Sequence, residues 1–299
     1  MSTHHFLGNA FHGRAGWGRL GKAGVLLPGL LLVCASPAAA DHFEKHFKVD
    51  ARPVITIHNP TGLVTVKAWT KSEVEVMAEH ASTDIEVDAE QTGNRIDVIT
   101  RLRSDSASPD EWRADYEIRV PEDAELQIHN DSGGVNVNNV LGDMNVETVA
   151  ADVDLEDAAG YLTVKTVCGS FQCERCAGRI EASSISGDFK LIDLHSLYVR
   201  ARTSNGNIFF GGEFLPNGMY SLNNYSGVIE VRFSPGDSFD LSATSLKGTV
   251  NNEAKLTPHA RYSHDAPKYG NALFGTFNTG RAKVDLTSFD GTINILKRD

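Results

Sequence analysis

The sequence predicts an all-β fold: a single-stranded parallel β-solenoid (β-helix) of about nine rungs, with a β-rich cap at its N-terminal end. Three observations carry this prediction. Helix periodicity is almost absent after residue 40, and apolar residues alternate at period two between small turn residues, as in Val64-Thr65-Val66, Val135-Asn136-Val137 and Ile293-Asn294-Ile295. A small residue stands before each such strand at near-regular spacing. A short hydrogen-bonding side chain recurs three residues before that small residue.

The elements follow in chain order. Residues 1–40 hold Arg14, Arg19 and Lys22 and no acid. The apolar run from Ala23 to Val33 has the length of a signal-peptide core and falls short of the roughly 20 residues that span a bilayer. Ala38-Ala39-Ala40 offers a small-residue cleavage site, with Asp41 as the new N-terminus. The alternatives are a short uncut anchor, or lipidation at Cys34, although Val33 stands where lipoprotein sites carry a small residue. The expected organisation is a signal peptide over 1–40 and a solenoid domain over 41–299. The expected location is periplasmic, cell-surface or secreted, with a membrane tether only if Cys34 is lipidated.

The repeat starts at Gly62 and resumes at Gly133, Ala151, Gly169, Gly187, Gly206, Gly227, Gly248 and Gly291. From Gly133 the spacings are 18, 18, 18, 19, 21, 21 and 43. The positions seven and five before, and two and four after, each of these residues are apolar in every repeat except at Asn252. Each unit therefore has two short strands facing one core. The position three before reads Asn59, Asn130, Thr148, Thr166, Ser184, Thr203, Asn224, Ser245 and Ser288. Such a column is either a polar binding stripe or a ladder that satisfies backbone groups at a corner, and turn chemistry favours the ladder. At about 4.8 Å per rung the rod would be about 40 Å long. Outward pairs are expected between Glu147 and Lys165 and between Glu181 and Arg200.

Two stretches break the repeat. Residues 67–123 contain strand-like runs at Val74-Glu75-Val76, Ile85-Glu86-Val87, Ile96-Asp97-Val98 and Tyr116-Glu117-Ile118, with a hairpin turn at Gly93-Asn94. They are expected to cap the solenoid end against strand addition. Residues 253–281 read as a loop insertion. A long irregular segment on a rigid rod is where binding residues collect, which makes His259, Arg261, Tyr262, His264 and Tyr269 the candidate binding loop.

Composition narrows function. Apolar residues make up 41% and charged residues 22%, which suits a folded protein, and the net charge of −11 argues against nucleic-acid binding. Cys168, Cys173 and Cys176 have C-x₄-C-x₂-C spacing. Cys173 and Cys176 align with apolar core positions, so core packing is preferred over a metal site; a disulfide leaving one free thiol is also open. The eleven histidines are scattered and show no metal-binding spacing. No metal or cofactor is expected. Asp152, Asp154 and Asp188 are the acids a glycan-cleaving enzyme would use, since Asp152 and Asp188 share one outward position two rungs apart, about 9.6 Å. Terse rungs without cleft walls argue against that enzyme, and Ca²⁺ binding by this Asp column stays open.

The chain also resembles a bacterial family of unknown function, the putative-adhesin family, also called the auto-transporter adhesin head or GIN-type β-strand repeat domain. The features are an opening rung Ile57-His58-Asn59-Pro60-Thr61-Gly62-Leu63-Val64-Thr65-Val66, the segment Ile118-Arg119-Val120-Pro121, and turns such as Asp131-Ser132-Gly133-Gly134-Val135, Ile185-Ser186-Gly187-Asp188-Phe189 and Tyr225-Ser226-Gly227-Val228-Ile229. The resemblance covers nearly all of residues 43–298. It implies a right-handed β-solenoid at the envelope or surface and no catalytic residues. The reading is therefore an exported, non-enzymatic, adhesin-like binding or scaffold module at the bacterial cell envelope, with an envelope or extracellular polysaccharide or an envelope protein as partner. The alternatives are a glycan-active β-helix enzyme and an accessory protein in envelope-stress sensing.

Overall fold

The computed structural model describes residues 41–80, 82, 84–103, 112–258 and 271–298. Residues 1–40, read from the sequence as a signal peptide with Cys34, and the five candidate loop residues from His259 to Tyr269 lie outside them. The described residues all belong to one compact unit. Among the described residues there is no α-helix, and none long and apolar enough to cross a membrane.

The chain is a parallel β-solenoid whose strands form one continuous sheet folded around a core. Three long strands, β2 (Val54–Trp69), β7 (Glu125–Asn138) and β8 (Met144–Glu156), each run through a corner and supply both sides of a coil. Later coils split there into two strands. On the first face β9 (Ala159–Lys165), β11 (Ala177–Ser184), β13 (His195–Asn205) and β15 (Met219–Ser226) stack in parallel register. On the second face β10 (Phe171–Glu174), β12 (Phe189–Ile192), β14 (Ile208–Gly211) and β16 (Val228–Phe233) do the same. The alternation read from the sequence decides which side chains enter the core. Ile55, Leu126, Met144, Leu162 and Ile180 are all buried on one face, and Val64, Val135, Val153, Phe171 and Phe189 on the other. The wider coils after residue 206 are filled by aromatic rings, with Phe214 5.1 Å from Phe210 and 5.0 Å from Phe239.

The corner column is a structural ladder. All nine predicted residues are buried. Asn59 Nδ2 donates to Asn130 Oδ1 at 3.0 Å, Thr203 Oγ1 to the Gly187 carbonyl at 3.1 Å, and the Gly169 amide to Thr166 Oγ1 at 2.9 Å. The adjacent small residues are needed because the coils touch there: a Cβ on Gly187 would lie 2.0 Å from the Gly169 carbonyl oxygen. Each ladder side chain satisfies a backbone group that this close approach removes from water.

The two breaks differ from the sequence expectation. Residues 67–123 do cap the end, but they also contribute a full coil. β5 (Arg95–Leu102) pairs in parallel with the first half of β2, and β6 (Ala114–Pro121) with its second half. Thr100 of this tenth coil donates to Asn59 Oδ1 at 3.0 Å, which extends the ladder. Antiparallel strands then close the end: β4 (Ile85–Thr92) on β5, β3 (Glu73–His80) on β6, and β1 (Asp41–Lys48) on β3.

At the other end the coils do not stack in chain order. β20 (Ala282–Ser288) lies between β15 and β17 (Phe239–Ser245), and β21 (Thr292–Lys297) between β16 and β18 (Thr249–Asn252). The last coil of the chain is thus next to last in space, and the coil containing Gly248 is terminal. Within the predicted loop insertion, β19 (Asn271–Phe277) is a strand that covers β17 in antiparallel register. Asn252, the one polar misfit of the repeat, lies on the outermost β18, where it is exposed and bonds Ala254 through both its amide groups.

Cys173 and Cys176 are both buried, as predicted, but they are joined in a disulfide, while Cys168 is an exposed thiol. The core-packing preference is corrected on this point. Arg175 between them sits at φ 52° and turns the chain tightly enough to bring the two cysteines to a Cα separation of 5.9 Å.

Candidate binding face

On the first face, parallel register converts single outward positions into columns. One column runs Tyr161, Arg179, Tyr198, Met219, Lys283, Asp240. Beside it runs Thr163, Glu181, Arg200, Ser221, Asp285, Ser242. A shallow groove of about 430 Å³ lies over the second half of this face, lined by Tyr198, Arg200, Met219, Ser221, Asp240 and Asp285 among others.

The first half of the face is linked by ring contacts and hydrogen bonds. The Arg179 guanidinium lies 3.9 Å from the Tyr198 ring centroid and 5.3 Å from that of Tyr161. It also donates from Nε (2.9 Å) and Nη2 (2.6 Å) to Glu181 Oε1, which accepts the Tyr161 hydroxyl at 3.2 Å as well. The Arg179 hydrogen bond holds the Glu181 carboxyl below its ordinary range, and Glu181 raises Arg179 in turn. The Glu147–Lys165 pair forms at 3.0 Å as the sequence suggested. The Glu181–Arg200 pair is a correction: the two are in register, but Glu181 bonds Arg179, which is on its own strand two residues away and on the same side. Arg200 instead stands 5.8 Å from the Tyr198 ring, at the groove.

The second face carries the candidate acids. Asp152 Oδ1 accepts the Ser170 amide at 2.8 Å and the Ser170 hydroxyl at 2.6 Å. Asp188 Oδ1 accepts the Asn207 amide at 2.7 Å and its side-chain Nδ2 at 3.2 Å. Both residues therefore tie one coil to the next. Asp154 is raised above the ordinary carboxylate range, first by burial and then by Asp152. Glu156 and Glu174, which share a groove with Asp154, are ion-paired to Arg175.

A third exposed feature runs along the corner. Val149, Val167 and Ile185 are exposed at equivalent positions of successive coils. Beyond Ser204 the column continues with Tyr225, whose ring stacks on Phe289 at 4.5 Å, and with Leu246. Neither this ridge nor the Tyr161–Asp240 column was singled out from the sequence. Both sit at fixed offsets in the repeat, so listing outward positions by column would have found them.

Coils of this size, a hydrogen-bonded corner and a preorganised polar and aromatic face define a β-solenoid with a long accessible surface. Residues 54–296 match the family described as Toastrack DUF4097, and the chain belongs to that family. Among solved structures it is similar to a putative adhesin from Bacteroides fragilis NCTC 9343, at 12% identity over 87% of this chain and 99% of that one, with a TM-score of 0.46. It is also similar to a putative cell adhesion protein from Clostridium sporogenes ATCC 15579, at 11% identity over 87% of this chain and 100% of that one, with a TM-score of 0.34. No curated protein matches it.

Proposed function

We propose that the protein is an exported, non-enzymatic binding module of the bacterial cell envelope that holds a polysaccharide along its first face. The observation that carries this reading is the pair of columns from Tyr161 to Asp240 and from Thr163 to Ser242. They present hydroxyls, carboxylates and cations beside tyrosine rings at the repeat of the sheet, which suits an extended polar polymer more than a compact substrate. The non-enzymatic reading is supported by the commitment of Asp152 and Asp188 to neighbouring coils. A second reading, a protein partner in the envelope, is favoured by the exposed apolar ridge from Val149 to Ile185.

The test is retention of the purified protein on a panel of bacterial and plant polysaccharides, with released reducing ends read from the same wells. Retention lost in Arg200→Glu and in Tyr198→Ala supports the proposed face. Retention that depends instead on His259 and Tyr262 moves the site to the 253–281 segment. Release of reducing ends overturns the non-enzymatic reading, and no retention on any polymer favours the protein partner.

A further inference from the structure

The antiparallel pairing of β1 with β3 places His46 directly opposite Glu75. His42, Glu44 and His46 alternate along β1 and so share one side of it, and Glu73 and Glu75 share the corresponding side of β3. We propose that Glu44, His46 and Glu75 form a binding site for a first-row divalent metal ion of the zinc class, linking the outermost strand of the cap to its neighbour.

The geometry fits such an ion. One oxygen or nitrogen from each of the three residues lies within 4.8 Å of the other two. His46 Nε2 is 3.0 Å from Glu44 Oε1 and 3.7 Å from Glu75 Oε1. Tetrahedral zinc with bonds of about 2.1 Å separates its donor atoms by about 3.4 Å, between these two distances. His42 Nε2 stands 3.5 Å from the other Glu44 oxygen and is outside the convergent group, so water would fill the fourth position.

His46 is oriented for ligation. Its Nδ1 lies 2.6 Å from Glu73 Oε1. An ionised carboxylate only accepts, so Nδ1 donates the proton. Carboxylate-to-histidine bonds of this kind fix the tautomer of metal-ligating imidazoles and leave Nε2 for the metal. Here Nε2 faces two carboxylates, where its partner is either a proton or a cation.

Charge points the same way. Glu44, Glu73 and Glu75 bring three negative charges together; a proton on each nitrogen of His46 offsets one of them when no metal is bound, and Arg119 is divided between Glu75 and Glu117. Lys45 points away to the Ala89 carbonyl. Glu75 is 8% exposed, and its Oε2 has no well-directed hydrogen bond although Arg119 Nη1 is 2.9 Å away. A divalent ion offsets the excess charge, and Glu44 and His46 are exposed enough to admit it. The other histidine pair has no such convergence: His58 and His129 stack flat at 4.7 Å, with their rings parallel within 1°.

The test is calorimetric titration of the chelator-stripped protein with Zn²⁺, in competition with a chelator of known affinity. One equivalent is expected. His46→Ala and Glu44→Gln should each weaken it at least about 100-fold, and Glu73→Gln by about 10–100-fold as the residue that positions His46. His58→Ala should leave it unchanged. His46 and Glu44 are exposed on an edge strand, so both variants should melt like the metal-free wild type, which separates lost ligation from lost folding. X-ray absorption at the zinc edge should show imidazole together with oxygen donors. The proposal is overturned if the wild type binds no Zn²⁺, or if His46→Ala keeps the equivalent. Displacement by Ca²⁺ at matched concentration also overturns it, since carboxylates alone would then be the ligands.

Discussion

Gly291 sits between Gly227 and Gly248 in space, although Gly248 stands between them in the repeat: a Cβ on Gly291 would lie 2.1 Å from the Gly227 carbonyl oxygen. A Cβ on Gly248 would in turn lie 2.0 Å from the Gly291 carbonyl oxygen. The contacts are with backbone, so a side chain cannot turn aside and the coils must separate. Gly291→Ala is expected to cost about 3 kcal/mol, the upper part of the range for overpacking. Gly236→Ala, with nothing within 4 Å of its Cβ, should change stability by less than about 0.5 kcal/mol. Urea unfolding of the two variants checks both values.

The same intercalation makes the C-terminal coil internal. Removing residues 282–299 should therefore do more than shorten the rod, because β17 and β18 lose the strands they pair with in parallel. A terminal coil in a stack ordered by sequence could be lost at the cost of one interface. Here the truncated protein should be cleaved within 239–252 by low protease concentrations that leave the full chain intact. Resistance of that segment would mean that the coil stacks directly on β15 and β16.

The Cys173–Cys176 disulfide closes a very short loop, so its effect on the unfolded chain is modest, about 2 kcal/mol in the chain-entropy picture. Reductant should lower the urea midpoint of the wild type by a corresponding amount and leave Cys173→Ala/Cys176→Ala unaffected. Cys168→Ser, at an exposed thiol, should behave like wild type in both conditions.

What was legible in the sequence is what one coil determines for itself. Alternation identified buried positions such as Ile128 and Val146, and the small residues before each strand marked a corner where backbones touch. The order of coils was not legible, because β20 fits beside β15 and β17 with the same apolar pattern that any coil presents. Thr100 went unnoticed as a ladder member because its coil is split across the cap, with β5 and β6 joined by residues 103–113. The cysteines were placed inward correctly, but whether they bond depends on the left-handed turn at Arg175, which carries no glycine to announce it. The Glu44–His46–Glu75 cluster needs the β1–β3 register, and antiparallel pairing that joins His46 to Glu73 at a sequence separation of 27 leaves no local spacing to read.

Asp154 gives the rod a pH dependence of definite sign. Burial, and then repulsion from Asp152, raise its folded-state pKa above the ordinary carboxylate value, while Lys190 opposes them. The folded state therefore disfavours the charged carboxylate more than the unfolded chain does. That penalty is absent below the unfolded pKa and is fully present once pH exceeds the raised folded value. Replacing the carboxyl by a neutral amide of the same shape removes it. Asp154→Asn should raise the melting temperature at pH 7, and the gain should shrink through the carboxylate range and vanish near pH 3. Asp152→Asn should not reproduce the gain. It relieves some repulsion on Asp154 but weakens the carboxylate hydrogen bonds to the Ser170 amide and hydroxyl, and bonds to a charged acceptor are the stronger kind. Thermal melts of wild type and the two variants at pH 3 and pH 7 separate these effects. An Asp154→Asn gain of equal size at both pH values would show that the stabilisation comes from packing, with no part played by the charge.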